Sequence, residues 1–325
     1  MIGKVSVVFL LLSITTGLAA ASGWEALPKV PVGVGNFTGG AFGDDLIVAG
    51  GVTWQDGTKV WLDNIWRFDT RKVTWNEGGT LPHPVAYAAY GQTVEGVFLA
   101  GGSDGKRNLP DSGWLDRKAQ WRKAGDVPQP LVYSGSCIAA GRLYVVAGAS
   151  DAADGRTATN LFYAVDLKTG RTEDFGEFPG GKVVLPAAAA LDGRIYVFGG
   201  ATCDPSDGLP VNVDSAWVYS LTEAKWSSLK PIAFPVRGLA SCVLDARHIL
   251  LVGGYREDFT DEAFVYDTKT GNYSRTIPLP YRAMTSLIKC GSDVYCVGGE
   301  DRMKHRSDLI FKIKWREFIE VARTP

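Results

Sequence analysis

Short apolar runs, each ending on a pair of small residues, recur along this chain. Leu46–Gly51 reads LIVAGG, Val97–Gly102 VFLAGG, Tyr144–Ala149 YVVAGA, Tyr196–Gly200 YVFGG, Ile249–Gly254 ILLVGG and Val294–Gly299 VYCVGG. Their last residues are separated by 51, 47, 51, 54 and 45 positions, a period that marks an internal repeat. Runs this rich in Val, Ile, Leu, Tyr and Phe have the composition of buried strands. Upstream of each pair lies a strand of small residues and a tight turn, as in PAAAALDGRIYVFGG from Pro186 to Gly200. Downstream comes a variable loop, then a strand such as NIWRFDT, DSAWVYS or DEAFVYD, then a polar turn and often a Trp. Trp75, Trp121 and Trp226 hold that last position. Six units of four strands are predicted.

Doubled glycines, an aromatic-Asp pair and a later Trp resemble the kelch repeat from Trp24 to Trp315. The resemblance implies an all-β fold, a six-bladed kelch β-propeller with four antiparallel strands per blade. It says nothing by itself about chemistry. The segment Trp24–Pro28 is similar to an outermost strand with no blade before it, and blade six has a place for it beside Asp308–Lys312. Arg316–Val321 competes for the same place, and the sequence leaves both open.

The composition fits one globular domain. The 325 residues are 46% hydrophobic and 21% charged, and the formal charge is −1. A chain of this size buries roughly 75% of its unfolded surface and needs no covalent staples. No basic face is evident, which argues against nucleic acid as a partner. Residues 1–21 read as a secretory signal: Lys4, the apolar Val5–Leu12, then the small residues Leu18–Ala21. The expected mature protein is a single domain over 22–325, periplasmic or secreted, with no membrane attachment after cleavage. Five cysteines in an exported chain invite a disulfide reading. The repeat alignment separates Cys137 and Cys242 by two blades. Cys290 and Cys296 flank one hairpin with side chains on opposite faces, and Cys203 lies in a loop. Free thiols are therefore expected.

Candidate chemistry concentrates in the loops between the second and third strands of each unit. The turns at the other end are tight (Asp192-Gly193, Gly291-Ser292), whereas these loops are long and charged. They carry Lys59, Asp104, Arg107 and the stretch Glu300–Arg306. Segments at the same end add His83, Tyr133, Arg237, Tyr281 and Arg282. The three histidines, His83, His248 and His305, are scattered, so neither a metal nor another cofactor is expected. No glycine-rich phosphate loop runs from a strand into a helix.

One loop carries a sharper signal. Gly299-Glu300, five residues, then Arg306-Ser307 resembles a stretch of the bacterial sialic acid mutarotases, the N-acetylneuraminate epimerases. Val60–Trp66, and Pro84–Tyr87 leading to Gly101–Arg107, are similar to the cyclically permuted branch of that family. His83 departs from it, since related sequences tend to carry Arg after the same proline. The resemblance implies that Glu300 and Arg306 are the functional pair and that the substrate is a small acidic sugar. Mutarotation needs a proton taken from the anomeric hydroxyl and one given to the ring oxygen, and a carboxylate can shuttle it. Arg306 would offer a planar fork to the sugar's carboxylate. Arg107, Arg237, Arg282, Lys59 and Asp104 are the expected supporting groups. A kelch propeller that only binds a glycan or protein is the alternative. A sialidase is disfavoured, because Thr53–Trp61 has the ingredients of an Asp-box at the wrong spacing.

Overall fold

The computed structural model describes residues 23–323, so the expected leader, Met1–Ala21, lies outside the described residues. Within them the chain forms six four-stranded antiparallel sheets, one per repeat. The innermost strands are Thr38–Phe42, Ala89–Gln92, Gly135–Ala139, Ala187–Leu191, Ala240–Val243 and Met284–Cys290. Each packs against the innermost strands of the sheets before and after it. Met284–Cys290 packs against Thr38–Phe42, and the circuit closes.

The apolar runs are explained by what lies on each side of a second strand. In the first sheet, Leu46 and Val48 join Phe37, Tyr295 and Val297 in the core shared with the sixth sheet. Ile47 and Ala49, pointing the other way, join Val97 and Leu115 in the core shared with the second sheet. Alternate side chains thus serve two inter-sheet cores, so no position can be polar. Each such Leu, Ile or Val contributes about 1.5–3 kcal/mol relative to exposure.

The first and last parts of the described chain meet in the sixth sheet. Its order is Glu25–Ala26, Ile310–Lys314, Asp293–Glu300, Met284–Cys290 from outside to inside. Glu25 pairs with Lys312 and Ala26 with Phe311. Trp24 anchors this strand: its indole donates to the Pro278 carbonyl at 2.8 Å and meets Phe318 edge-on at 5.8 Å. Arg316–Val321, the competing candidate, is part of the helix Trp315–Ala322 instead. Trp315, Phe318, Ile319 and Ala322 fall at helical spacing and pack onto the core under Trp24.

All five cysteines are unpaired. Cys296 packs in the core between the fifth and sixth sheets, while Cys290 lies against the core on the other face.

Candidate functional site

Glu300 and Arg306 are brought together by a hairpin that the glycine pair makes possible. Gly298 and Gly299 adopt φ of +53° and +101°, and a Cβ on Gly298 would stand 2.3 Å from the Val34 carbonyl oxygen. Only glycine lets the strand end pass this close while Gly299 donates its N–H to that carbonyl at 2.8 Å. Ser307 then donates back to the Gly299 carbonyl at 2.8 Å, and Arg302 bridges His305. Residues 300 and 306 are therefore opposite each other across the hairpin. The five-residue spacing between Glu and Arg is the length that does this.

The side chains close on each other. Arg306 Nη1 donates to Glu300 Oε1 at 2.9 Å and to the His305 carbonyl at 3.1 Å. The Arg306 side chain is only 4% exposed and that of Glu300 21%. Arg306 Nε is buried without an acceptor. An unmet buried donor of this kind costs about 1–3 kcal/mol. The fork expected to face a substrate is thus engaged first with Glu300.

Around this pair stand aromatic and cationic groups from the first three sheets. Tyr87 and Tyr133 meet edge-on with ring centres 4.5 Å apart. Both hold left-handed backbone conformations, at φ of +62° and +60°, where bulky residues are strained. The strain is fixed by cross-sheet hydrogen bonds: Tyr87 N–H donates to the Asn36 carbonyl at 3.0 Å, and Leu185 N–H to the Tyr133 carbonyl at 2.7 Å. Asn36, Leu185 and Gly238 repeat the same left-handed turn in their sheets. Burial pushes the Tyr87 hydroxyl well above its ordinary pKa, opposed by the neighbouring Arg306, and pushes Tyr133 up to about 12. Both phenols stay protonated at neutral pH, as donors. Tyr133 gives its hydrogen to the Ala152 carbonyl at 3.1 Å.

Of the expected supporting residues, three gather here. Lys59 lies with its ammonium 4.8 Å from the Tyr87 ring centre and 5.2 Å from that of Trp61. Burial lowers its pKa to about 8, helped by the positive Arg306 and opposed by Glu300. Arg107 lines the adjoining cleft with Lys59. Arg237 lies 4.3 Å over Tyr255, donates to Asn212 Oδ1 at 2.8 Å, and experiences the charge of Glu300.

The other two expected residues take different places. Arg282 is 66% exposed, faces Asp261 and lines a different cleft with Arg256 and Arg275. The chain after the fifth sheet turns its side chain outward there. Asp104 holds its own loop: its Oδ1 accepts the N–H groups of Lys106 at 2.8 Å and Arg107 at 2.9 Å, which fixes the backbone that carries Arg107. His83 pairs with Asp111 at 3.1 Å, and the half-buried Tyr281 donates to the Gly298 carbonyl at 2.7 Å. Among the described residues, no cluster of three or more His, Cys, Asp and Glu is arranged to hold a metal ion.

The model of the KLHDC2/KLHL20/DRC7 Kelch-repeats domain matches residues 117–299. The chain belongs to the kelch-repeat family. Kelch-like protein 40 of Xenopus tropicalis is 26% identical over 217 residues, covering 64% of this chain and 34% of that protein. The N-acetylneuraminate epimerase of Pasteurella multocida is 32% identical over 114 residues, covering 34% of this kelch chain and 29% of the epimerase. That of Haemophilus influenzae strain PittEE is 27% identical over 180 residues, covering 43% and 47%. The kelch chain therefore spans about a third of the length of Kelch-like protein 40 and less than half of either epimerase. The solved structure of YjhT superposes with a TM-score of 0.71 at 15% identity, covering 87% of this chain and 95% of that one, which shows a shared fold.

Proposed function

We propose that the protein is an exported mutarotase that interconverts the anomers of an acidic sugar of the sialic acid class by ring opening. One observation carries the reading: Glu300 and Arg306 face each other at 2.9 Å among Tyr87, Tyr133, Lys59 and Arg237, with a buried Arg306 donor left over. Distant homology to the N-acetylneuraminate epimerases supports it. Export rests on the sequence of Met1–Ala21.

In this reading Glu300 accepts the proton of the anomeric hydroxyl through the oxygen that Arg306 does not hold. The bond from the anomeric carbon to the ring oxygen breaks, its electron pair stays on the ring oxygen, and the hydroxyl oxygen becomes a carbonyl. Glu300 returns the proton to the ring oxygen. The carbonyl turns over its other face, and the reverse sequence closes the second anomer. Glu300 ends unchanged and no cofactor enters. General acid–base catalysis of this kind supplies about 10²–10⁴-fold.

A propeller that binds without turnover is favoured by one observation. Arg306 is already bonded to Glu300 and almost wholly buried, as in a loop clasp. Anomer exchange of N-acetylneuraminate followed by saturation-transfer NMR separates the two. Glu300→Gln keeps size and cannot take the proton, so exchange should collapse while binding persists. Exchange at the protein-free rate in both parent and variant, with binding intact, favours the binding reading.

A further inference from the structure

Beside the Glu300–Arg306 pair, a cleft of about 410 Å³ opens between the loops of the first three sheets, lined by Lys59, Trp61, Ser103, Arg107, Asn108 and Asp151 among others. Neither Lys59 nor Arg107 forms an ion pair among the described residues. The Trp61 indole N–H is buried without an acceptor. Asp151, the carboxylate in the lining, caps its own turn by accepting the Ala153 N–H at 2.8 Å. The walls are firmly built. Asn108 donates across the loops to the Pro130 carbonyl at 3.0 Å and the Ser150 carbonyl at 2.9 Å. Gly105 lies flat on the Trp61 indole, where a Cβ would stand 2.6 Å from the ring.

We propose that this cleft is an anion subsite, in which Lys59 and Arg107 hold the carboxylate of the sugar acid while Arg306 stays with Glu300 as its positioning residue. The inference rests on reading this end of the propeller as an acidic-sugar site. A half-buried ammonium between two rings is held by cation–π attraction but not neutralised. A carboxylate supplies the missing counter-charge and an acceptor for the neighbouring donors. A carboxylate aimed at Arg306 would instead have to displace Glu300 from a nearly closed pocket. The pKa of Lys59, lowered to about 8 by burial and then by Arg306, agrees with a cation that lacks such a partner.

The test is calorimetric titration of N-acetylneuraminate and its methyl ester into the parent, Lys59→Met, Arg107→Met and Lys59→Arg, each checked for parent-like circular dichroism. The acid should bind the parent about tenfold or more tighter than the ester. Each methionine variant should lose that preference, and Lys59→Arg should keep most of it. At pH near 8, binding to the parent should take up protons as the carboxylate recharges Lys59, and Lys59→Met should take up none. Equal affinity for acid and ester, no binding of either, or parent-like preference in both methionine variants overturns the subsite. Charge-dependent binding without anomer exchange sinks the catalytic reading and leaves the subsite standing. Exchange with unchanged affinity in both methionine variants does the opposite.

Discussion

Gly35 lies so close to the Arg306 side chain that a Cβ at position 35 would stand 2.7 Å from Arg306 Cδ and 2.9 Å from Nε. Its backbone cannot retreat, because Gly35 and Val52 exchange both hydrogen bonds, at 3.0 and 2.9 Å. A methyl group there has to move the guanidinium. Gly35→Ala is expected to cost about 1–3 kcal/mol by overpacking and to remove anomer exchange by pulling Arg306 off Glu300. Thermal unfolding and exchange NMR check both, and parent-like values in both would show that position 35 does not set the Arg306 pose.

The pair itself should be unequal in its two halves. Glu300→Ala leaves a nearly buried guanidinium without its carboxylate, and breaking a buried pair costs about 3–5 kcal/mol. Arg306→Met leaves Glu300, the more exposed partner, which can turn to water, so its cost should be smaller. The double variant should unfold in urea at a higher midpoint than Glu300→Ala. Simple additivity of the two single effects would mean that the residues are energetically independent.

Lys59 gives the fold a pH signature. Its folded pKa of about 8 lies below the ordinary 10.5, so between these values the unfolded chain binds more protons than the folded one. The contribution of Lys59 to stability therefore rises with pH across that window and is flat below it. Comparing parent and Lys59→Met by urea unfolding from pH 7.5 to 10 isolates it, since the neighbouring Tyr87, Glu300 and Arg306 remain in both. An unchanged difference across the series would contradict the burial of this ammonium.

The thiols should be free and graded. Burial pushes Cys137 and Cys242 up to about 12 and Cys296 to about 11, so all three should resist alkylation in the native protein at pH 8. Cys203 and Cys290, both partly accessible, should react first. Unfolded without reductant, the chain should titrate five thiols, and reductant should leave the thermal midpoint unchanged. Fewer than five would reveal a bridge.

What the sequence disclosed follows from how repetition works. The glycine pairs were legible because each sheet needs the same close crossing, and Trp24 was legible because its position in the repeat is marked by Trp75, Trp121 and Trp226. The helix Trp315–Ala322 was less so: its apolar residues do fall at helical spacing, but over a span too short to separate from a strand. Glu300 and Arg306 could be picked out, since one hairpin sets their spacing, but the packing of Arg306 against Gly35 could not, because Gly35 comes from the other end of the chain. The strained backbone of Tyr87 and Tyr133 is a tertiary effect that propensity disfavours. A signal did exist, since the repeat aligns both tyrosines with Asn36 and Gly238, residue types at home in that conformation. Arg282 differs from Arg237 in register: Arg237 bridges Tyr255 just past its glycine pair, whereas the residue that pairs with the corresponding Glu300 is Met284, two positions after Arg282.

The seam in the sixth sheet sets an order on biosynthesis. Glu25–Ala26 leaves the ribosome early, but its partner Ile310–Lys314 arrives nearly three hundred residues later, and Trp24 must wait equally long for Phe318. The five earlier sheets can form as they emerge, each largely from local chain, while the opening segment stays without its neighbour. Closure is then a single late event that spans the whole length. A nascent chain stalled anywhere before residue 310 would present an unfilled gap on one side and, on the other, an unpaired strand with Trp24 uncovered beside it.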